Sequence, residues 1–444
     1  MPKQRGTLER RLGLPQALAI GIGTMVGAGI FVFPGLAAGQ AGPAAMLSFA
    51  IGGGVALLVA LPTSELATAM PESGGGYYFV SRGLGALLGA MVGMGQWMGL
   101  IFASAFYLMG FGHYLSDIAA ATELGITVPV TGVAFGTAVV LTAISITGTE
   151  NTGRLQHAIV AVLLLLLTGF LGHGILNALG VLGPAALPAS FAPHGALSIL
   201  TTAALVFTSY LGFAQIATVA GEIKDPAQNL PRAMVGSVLI VTALYVATIF
   251  VSTSMFSGEQ LAAWGETAIV EVAREVAGPV GAVAILAGGL LATLSSANAS
   301  ILSSSRSVYA LSRDALVPEK AAQVNERYRT PHVALLLTGG PIAGLVLFGQ
   351  VEVLAEVASL LHLFMYGLMC VTLLVLRRRD PGWYSPSFVC PAYPWLPGLG
   401  ALASFGLVAF MQPLSIVLGL ALLALAALWY RLYAPDVSLR TSDT

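Results

Sequence analysis

Charged residues are scarce in this chain: Asp, Glu, Lys and Arg make up 9% of its 444 residues, against about 25% in an ordinary soluble domain. That shortage excludes a water-soluble globular protein of this length, whose surface needs far more charge. The few charges also balance, 19 Lys and Arg against 20 Asp and Glu, so nothing marks a nucleic-acid partner. Cysteine is nearly missing: Cys370 and Cys390 show no disulfide or metal-ligand spacing. The 6 His residues offer no His-x-x-x-His or Glu-x-x-His pattern, which removes the usual basis for a metal-dependent membrane enzyme. No cleavable signal peptide is read either, because the basic stretch 2–11 leads straight into a full-length apolar span.

What remains is apolar. Hydrophobic residues reach 57% and the mean hydropathy is +0.86, the composition of a polytopic membrane protein. At roughly 20 residues per span, the apolar runs predict about twelve helices. They fall at 15–37, 43–69, 84–115, 128–147, 155–177, 196–220, 233–256, 277–305, 332–349, 352–376, 394–411 and 413–433. With the N-terminus in the cytoplasm and sides alternating, every one of the 19 Lys and Arg except Arg274 falls inside. The positive-inside rule therefore favours twelve transmembrane helices in the plasma membrane with both termini cytoplasmic.

Within the first span lies Gly27-Ala-Gly-Ile-Phe31, preceded by Gly21 and Gly23. Hydrocarbon offers no water to freed backbone groups, so glycine interruptions at mid-span belong where protein or a cavity surrounds them. In transporters such breaks bind substrates and ions. The sixth span carries a second candidate break, with Thr208, Ser209 and Gly212 at mid-span. Close helix packing through small-xxx-small spacing is the alternative reading of Gly23 and Gly27; the matching polar break in span six favours a site.

Four motifs resemble those of the amino acid–polyamine–organocation superfamily. They are Gly23-Thr-Met-Val-Gly-Ala-Gly-Ile-Phe31, Glu65 to Tyr78, Ala220 to Ala233, and Ser304 to Pro318 with Arg329-Thr-Pro331. The resemblance implies an amino acid permease with the leucine-transporter fold: an all-α five-plus-five inverted repeat, broken helices one and six, and two peripheral helices. The corresponding segments are 1–14 (cytoplasmic), 15–178 (first repeat), 194–377 (second repeat), 394–433 (peripheral helices) and 434–444 (a cytoplasmic tail, too short for a regulatory domain). It also implies alternating access, with the substrate's carboxylate and ammonium held at the breaks. Carried onto this chain, the contacts are Thr24, Met25, Val26, Gly27, Ala28, Gly29 and Ile30 from helix one. Helix six supplies Phe207, Thr208, Ser209, Tyr210 and Gly212. Helix-terminal amides suit a carboxylate on physical grounds.

The chain departs from the family at three positions. Proton-coupled relatives often carry a helix-five lysine where Leu163 stands, and many carry an acidic residue where Ala214 stands. The family's gating aromatic falls at Thr208, leaving Phe207 or Tyr210 to cover the substrate. Coupling to Na⁺ or H⁺ is then left to other groups. Ser296 and Ser300 in span eight offer hydroxyls to a hard cation, or bond back onto their own helix. His362 lies mid-span in span ten, where an ionisable group is a functional candidate; the alternative is a neutral imidazole on a backbone carbonyl. No metal or cofactor motif is read. Glu65, Glu222 and Asp225 are expected at the inner gate, paired with Arg82, Arg154 or Arg313, or simply solvated. The outer stretch with Glu259, Glu266, Glu271 and Glu275 is expected to be a solvated acidic loop.

No charged side chain is expected beside the breaks, where Thr24, Ser209 and Ser104 or Tyr107 would supply hydroxyls. The expected substrate is a neutral, apolar amino acid, carried by symport or exchange. A cationic amino acid or polyamine, held by aromatic faces, and a non-transporting sensor of the same fold stay open as alternatives. Oligomeric state is not read from the sequence.

Overall fold

Backbone in lipid must be satisfied within helices or a closed barrel; apolar runs of about 20 residues select helices, and helix is what the computed structural model contains. It describes residues 10, 12–71, 74–121, 128–147, 152–181, 190–325, 327–328 and 330–437, with only the backbone described at 28, 120–121 and 152–159. Lys3, Arg5, Arg11, Arg329 and Arg440, which entered the orientation argument, lie outside the described residues.

The first half contains α1 (Leu14–Phe31), α2 (Phe33–Ala41), α3 (Ala45–Ala69), α4 (Gly76–Leu84), α5 (Ala86–Ala121), α6 (Val130–Thr147) and α7 (Thr152–Ala178). The second half contains α8 (Gly195–Val206), α9 (Gln215–Thr218), α10 (Pro226–Met255), α11 (Gly258–Trp264), α12 (Ala268–Arg313), α13 (His332–Val346) and α14 (Val351–Arg379). Helices α15 (Trp395–Val408) and α16 (Pro413–Tyr433) follow. No strand occurs among the described residues. An isolated bridge joins Leu12 to Ile223, tying the chain just before α1 to the turn after α9. Ten segments among the described residues are long and apolar enough to cross a membrane, and α13 and α15 are shorter apolar helices.

Two elements differ from the sequence expectation. The first span does not end near residue 37 but restarts as α2 and runs to Ala41, with Pro34 in its first turn, where a missing N–H costs nothing. The eighth span does not begin at 277: α12 starts at Ala268 and bends at Ala277 and Gly278, just before Pro279. The acidic stretch is thus folded rather than a free loop. Ser257 opens α11 with a capping box, its hydroxyl accepting from Gln260 N at 3.2 Å while Gln260 Oε1 accepts from Ser257 N at 3.0 Å. Helix α11 then packs on α2, with Ala262 against Gly39.

Helices α1, α3 and α10 pack together with the stretch between α8 and α9. Helix α5 packs most extensively on α12, and also on α6, α13 and α14. The candidate site lies where these two groups meet.

A buried carboxylate fixes one end of the bundle. Glu65, on the last turns of α3, is fully buried. Arg377 Nε donates to Glu65 Oε1 at 2.8 Å and its Nη2 to Oε2. Tyr384 Oη (2.9 Å) and Cys390 N (2.6 Å) donate to the same carboxylate. Arg377 also donates to Cys390 O at 3.1 Å and lies over the Tyr393 ring. The connection between α14 and α15 is therefore strapped onto α3. This corrects the expected gate pairing of Glu65: its partner is Arg377. Arg82 instead faces Asp314 at 4.0 Å and the Tyr78 ring, and the side chain of Arg154 lies outside the described residues. Burial first, and then the Glu65 carboxylate, push the Cys390 thiol up to about 12.

Removing one partner of a buried ion pair costs about 3–5 kcal/mol. Because Arg377 is partly exposed, Glu65→Ala is expected to cost about 3 kcal/mol, measured by thermal unfolding in detergent. The same change should free the strap. In a Cys370→Ala background at pH 7.5, maleimide labels Cys390 slowly while Glu65 is present and faster once it is removed; an unchanged labelling rate contradicts the assignment.

Candidate functional site

The break in α1 is local and sharp. Gly27 has φ −31° and ψ −119° inside an otherwise helical run, and the chain turns again at Val32 before α2. The glycine is required by close approach: a Cβ at Gly27 would overlap Ser296 Oγ on α12. Gly29 lies against the Tyr245 ring of α10. In the sixth span, α8 stops at Val206 and Phe207–Ala214 is a 3-10 helix of 8 residues. A run that long is uncommon, because 3-10 hydrogen bonds are poorly aligned, and it often marks a functional hinge. Gly212 in this stretch packs directly on Thr24 and Met25, so the two breaks face each other.

Breaking a helix in the membrane frees carbonyls, and buried hydroxyls collect them. Tyr245 Oη on α10 lies within bonding distance of carbonyls of both breaks, Met25 O at 2.5 Å and Ser209 O at 3.1 Å. Tyr114 Oη on α5 donates to Phe31 O at 2.6 Å, and Tyr366 Oη on α14 to Leu211 O at 3.2 Å. Thr208 Oγ1 donates outward to Ala355 O on α14 at 2.5 Å and sits 2.6 Å from Ser359 Oγ. The sequence reading missed these tyrosines, since nothing local to Tyr114, Tyr245 or Tyr366 shows where a freed carbonyl will lie.

Between the breaks lies a small pocket lined by Thr24, Leu100, Ala103, Tyr107, Leu211, Gly212, Gln215, Ser296, Ala299 and Ser300. Its volume is about 10 Å³, room for roughly one water. In this conformation it has no room for an amino acid. A second cavity of about 510 Å³ adjoins it, and Leu100, Leu211 and Gln215 line both. This larger vestibule reaches the turn before α4 and the C-terminal end of α12, with His362, Gln96, Arg306, Arg313 and Glu222 among its walls.

Of the expected site residues, Thr24, Gly212, Ser296 and Ser300 line the pocket. Thr24 Oγ1 bonds back to Ile20 O and Gly21 O. Among the described residues, Ser209 Oγ and Ser296 Oγ are buried with no hydrogen-bond partner, two open hydroxyls beside the breaks. Met25, Val26 and Ile30 are buried in the core, and the side chain of Ala28 lies outside the described residues. Phe207 and Tyr210 do not cover the pocket. Tyr210 turns away to donate to Phe49 O at 2.7 Å, and Phe207 packs on Tyr210 and Tyr366. Ser104 donates to Leu100 O at 2.7 Å and does not reach the pocket; Tyr107, one turn on, does. His362 Nδ1 lies 2.8 Å from Ala358 O, so Nδ1 carries the proton there. Leu163 packs beside Gly288 and Phe31, adjacent to the break and the eighth span. No group of three His, Cys, Asp or Glu suited to a metal ion occurs among the described residues.

Comparison with known proteins fits this geometry. The family model described as amino acid permease matches residues 16–434. The chain is similar to the branched-chain amino acid permease BcaP of Bacillus subtilis (strain 168), 28% identical over 443 residues, covering 96% of this chain and 94% of the relative. It is also similar to the methylthioribose transporter of that organism, 28% identical over 409 residues with 89% and 87% covered. The serine/threonine exchanger SteT, from the same organism, is 26% identical over 407 residues with 90% of each covered.

Two stability measurements check the geometry. Tyr245→Phe removes the one O–H shared between two buried carbonyls and is expected to cost about 1–3 kcal/mol, as is Tyr210→Phe, which strands Phe49 O. Gly27→Ala is expected to cost about 1–3 kcal/mol by overpacking, and Ser296→Ala should recover part of that loss. A double-mutant cycle with strictly additive effects contradicts the contact between them.

Proposed function

The chain belongs to the amino acid permease family, a transporter family rather than an enzyme family, and on that premise we propose a secondary carrier for a neutral, apolar amino acid. The observation that carries the substrate class is the neutrality of the pocket wall: none of its side chains is charged. A dicarboxylic substrate would call for an Arg there, and a cationic one for a carboxylate. The names of two relatives, a branched-chain permease and a serine/threonine exchanger, agree with a small neutral substrate.

The proposed architecture is twelve transmembrane helices in five-plus-five inverted repeats, 15–178 and 194–377, with α15 and α16 peripheral. Its support is the pattern of packing. Counterparts in the two halves contact each other: the broken spans, α3 with α10, α5 with α12, and α6 with α13. Opposed repeats about a shared axis would produce that pattern. The distribution of Lys and Arg supports cytoplasmic termini, which makes the 510 Å³ vestibule face the cytoplasm. A collapsed pocket beside an open vestibule is what alternating access requires after release to that side.

In the mechanism we propose, the amides of the Gly27–Ile30 break receive the substrate carboxylate, because helix ends carry partial positive charge. Carbonyls of both breaks and the Ser209 hydroxyl receive its ammonium, while Leu100, Ala103 and Leu211 face its apolar side chain. The coupling species, Na⁺ at Ser296 and Ser300 or H⁺ through His362, is assigned to no residue by charge. With Leu163 and Ala214 at the positions where relatives place a lysine and an acid, gradient-independent exchange is the coupling mode we favour.

Uptake of a labelled amino acid panel into proteoliposomes tests this, with Na⁺ and pH gradients varied independently. The expected result is saturable uptake of branched-chain or other neutral amino acids, stimulated by unlabelled substrate on the far side. Binding without uptake overturns the carrier reading in favour of a sensor. Preference for lysine, arginine or polyamines overturns the neutral pocket, and strict proton dependence moves coupling to His362.

A further inference from the structure

The vestibule has a chemistry that the carrier reading leaves unused. Two opposite charges, Arg306 from α12 and Glu222 from the turn after α9, line it, and neither side chain has a hydrogen bond or ion pair among the described residues. Arg313, also on its wall, already faces Asp314 at 4.0 Å. A third group stands open: Gln96 Oε1 on α5 is buried with no hydrogen-bond partner among the described residues, on the same wall.

The register between α5 and α12 brings Gln96 and Arg306 to one level. Gly93 packs on Leu311, and Ser304 Oγ donates to Trp97 O at 3.2 Å. Gln96 therefore lies opposite the stretch between Ser304 and Leu311, which contains Arg306 and Ser307. Both Ser303 and Ser307 add hydroxyls to the wall.

We propose that this vestibule is a second, weaker amino acid site, with Arg306 holding the carboxylate and Gln96 Oε1 and Glu222 receiving the ammonium. A guanidinium presents a planar fork that matches a carboxylate, and an amide oxygen or carboxylate accepts from an ammonium. A zwitterion needs both ends met, and here both kinds of partner stand open in one cavity. Its 510 Å³ is within the range of small-molecule sites, whereas the pocket between the breaks is collapsed in this state. Leu100, Leu211 and Gln215 line both cavities. A substrate leaving toward this side would meet Arg306 beyond those shared walls, and an entering one would be gathered there. The inference rests on the carrier reading but concerns a separate wall.

The test is equilibrium binding of tritiated L-leucine, L-serine and L-threonine to the full chain in nanodiscs, alongside uptake of the same probes. Two binding phases are expected for the transported probe. Arg306→Gln should weaken the shallower phase about tenfold or more, the worth of a charge-assisted bond, and leave the tighter phase within about twofold; Arg306→Lys should restore part of the loss. Uptake together with a single binding phase in the unaltered protein, or two binding phases untouched by Arg306→Gln, overturns this inference and leaves the carrier standing. Equal weakening of both phases overturns it in favour of a role for Arg306 in closing the cavity. No binding and no uptake of any probe sinks both readings.

Discussion

Every carbonyl released by a helix break inside a membrane must find a donor within the protein, since lipid supplies none. This constraint organises the centre of the molecule. Tyr245 Oη stands between the two breaks and reaches Met25 O and Ser209 O, so helix one cannot open without disturbing helix six. Tyr114 and Tyr366 serve Phe31 O and Leu211 O from α5 and α14. These hydroxyls make the breaks affordable, and they come from helices on several sides of the site. Glycine follows as a second consequence: Gly27 and Gly212 are small because Ser296 and Thr24 occupy the space where their side chains would be.

Against that background the unpartnered groups gain meaning. Most buried hydroxyls here bond back to their own helix or to a freed carbonyl. Ser209 and Ser296 do not, and both stand beside the breaks. Moving outward, the walls change character. The pocket is neutral, the wall it shares through Leu100, Leu211 and Gln215 is mainly apolar, and the vestibule beyond carries Arg306 and Glu222. A zwitterion would exchange backbone partners for charged side chains along this path. The Glu65–Arg377 strap lies away from the path. It holds the α14–α15 connection on α3 and so stabilises the frame around which such movement would occur.

Much of this was legible in the sequence because the membrane narrows the options. Apolar runs of this length read as helices, and paired glycine and hydroxyl interruptions in spans one and six favour breaks over packing alone, so Gly27 and the Thr208–Gly212 stretch stand out in the sequence. What stayed hidden depends on long-range placement. Arg377 is 312 positions from Glu65, and no local spacing links them. Thr208 sits at an aromatic's register, yet its hydroxyl is drawn to Ala355 O on α14. Phe207 and Tyr210 looked like covers for a substrate, but their rings and the Tyr210 hydroxyl are engaged with other helices. The helical arm that opens α12 differs from the expected solvated acidic loop, and the capping box of Ser257 and Gln260 just before it starts the folded stretch.

The central claim is that the two breaks are where the amino acid is held. Hydrogen–deuterium exchange of the protein in nanodiscs, with and without the amino acid that uptake identifies, tests it most directly. The account predicts that ligand protection concentrates in peptides covering Gly27–Val32 and Phe207–Ala214. Protection that leaves both stretches unchanged and appears elsewhere would contradict it.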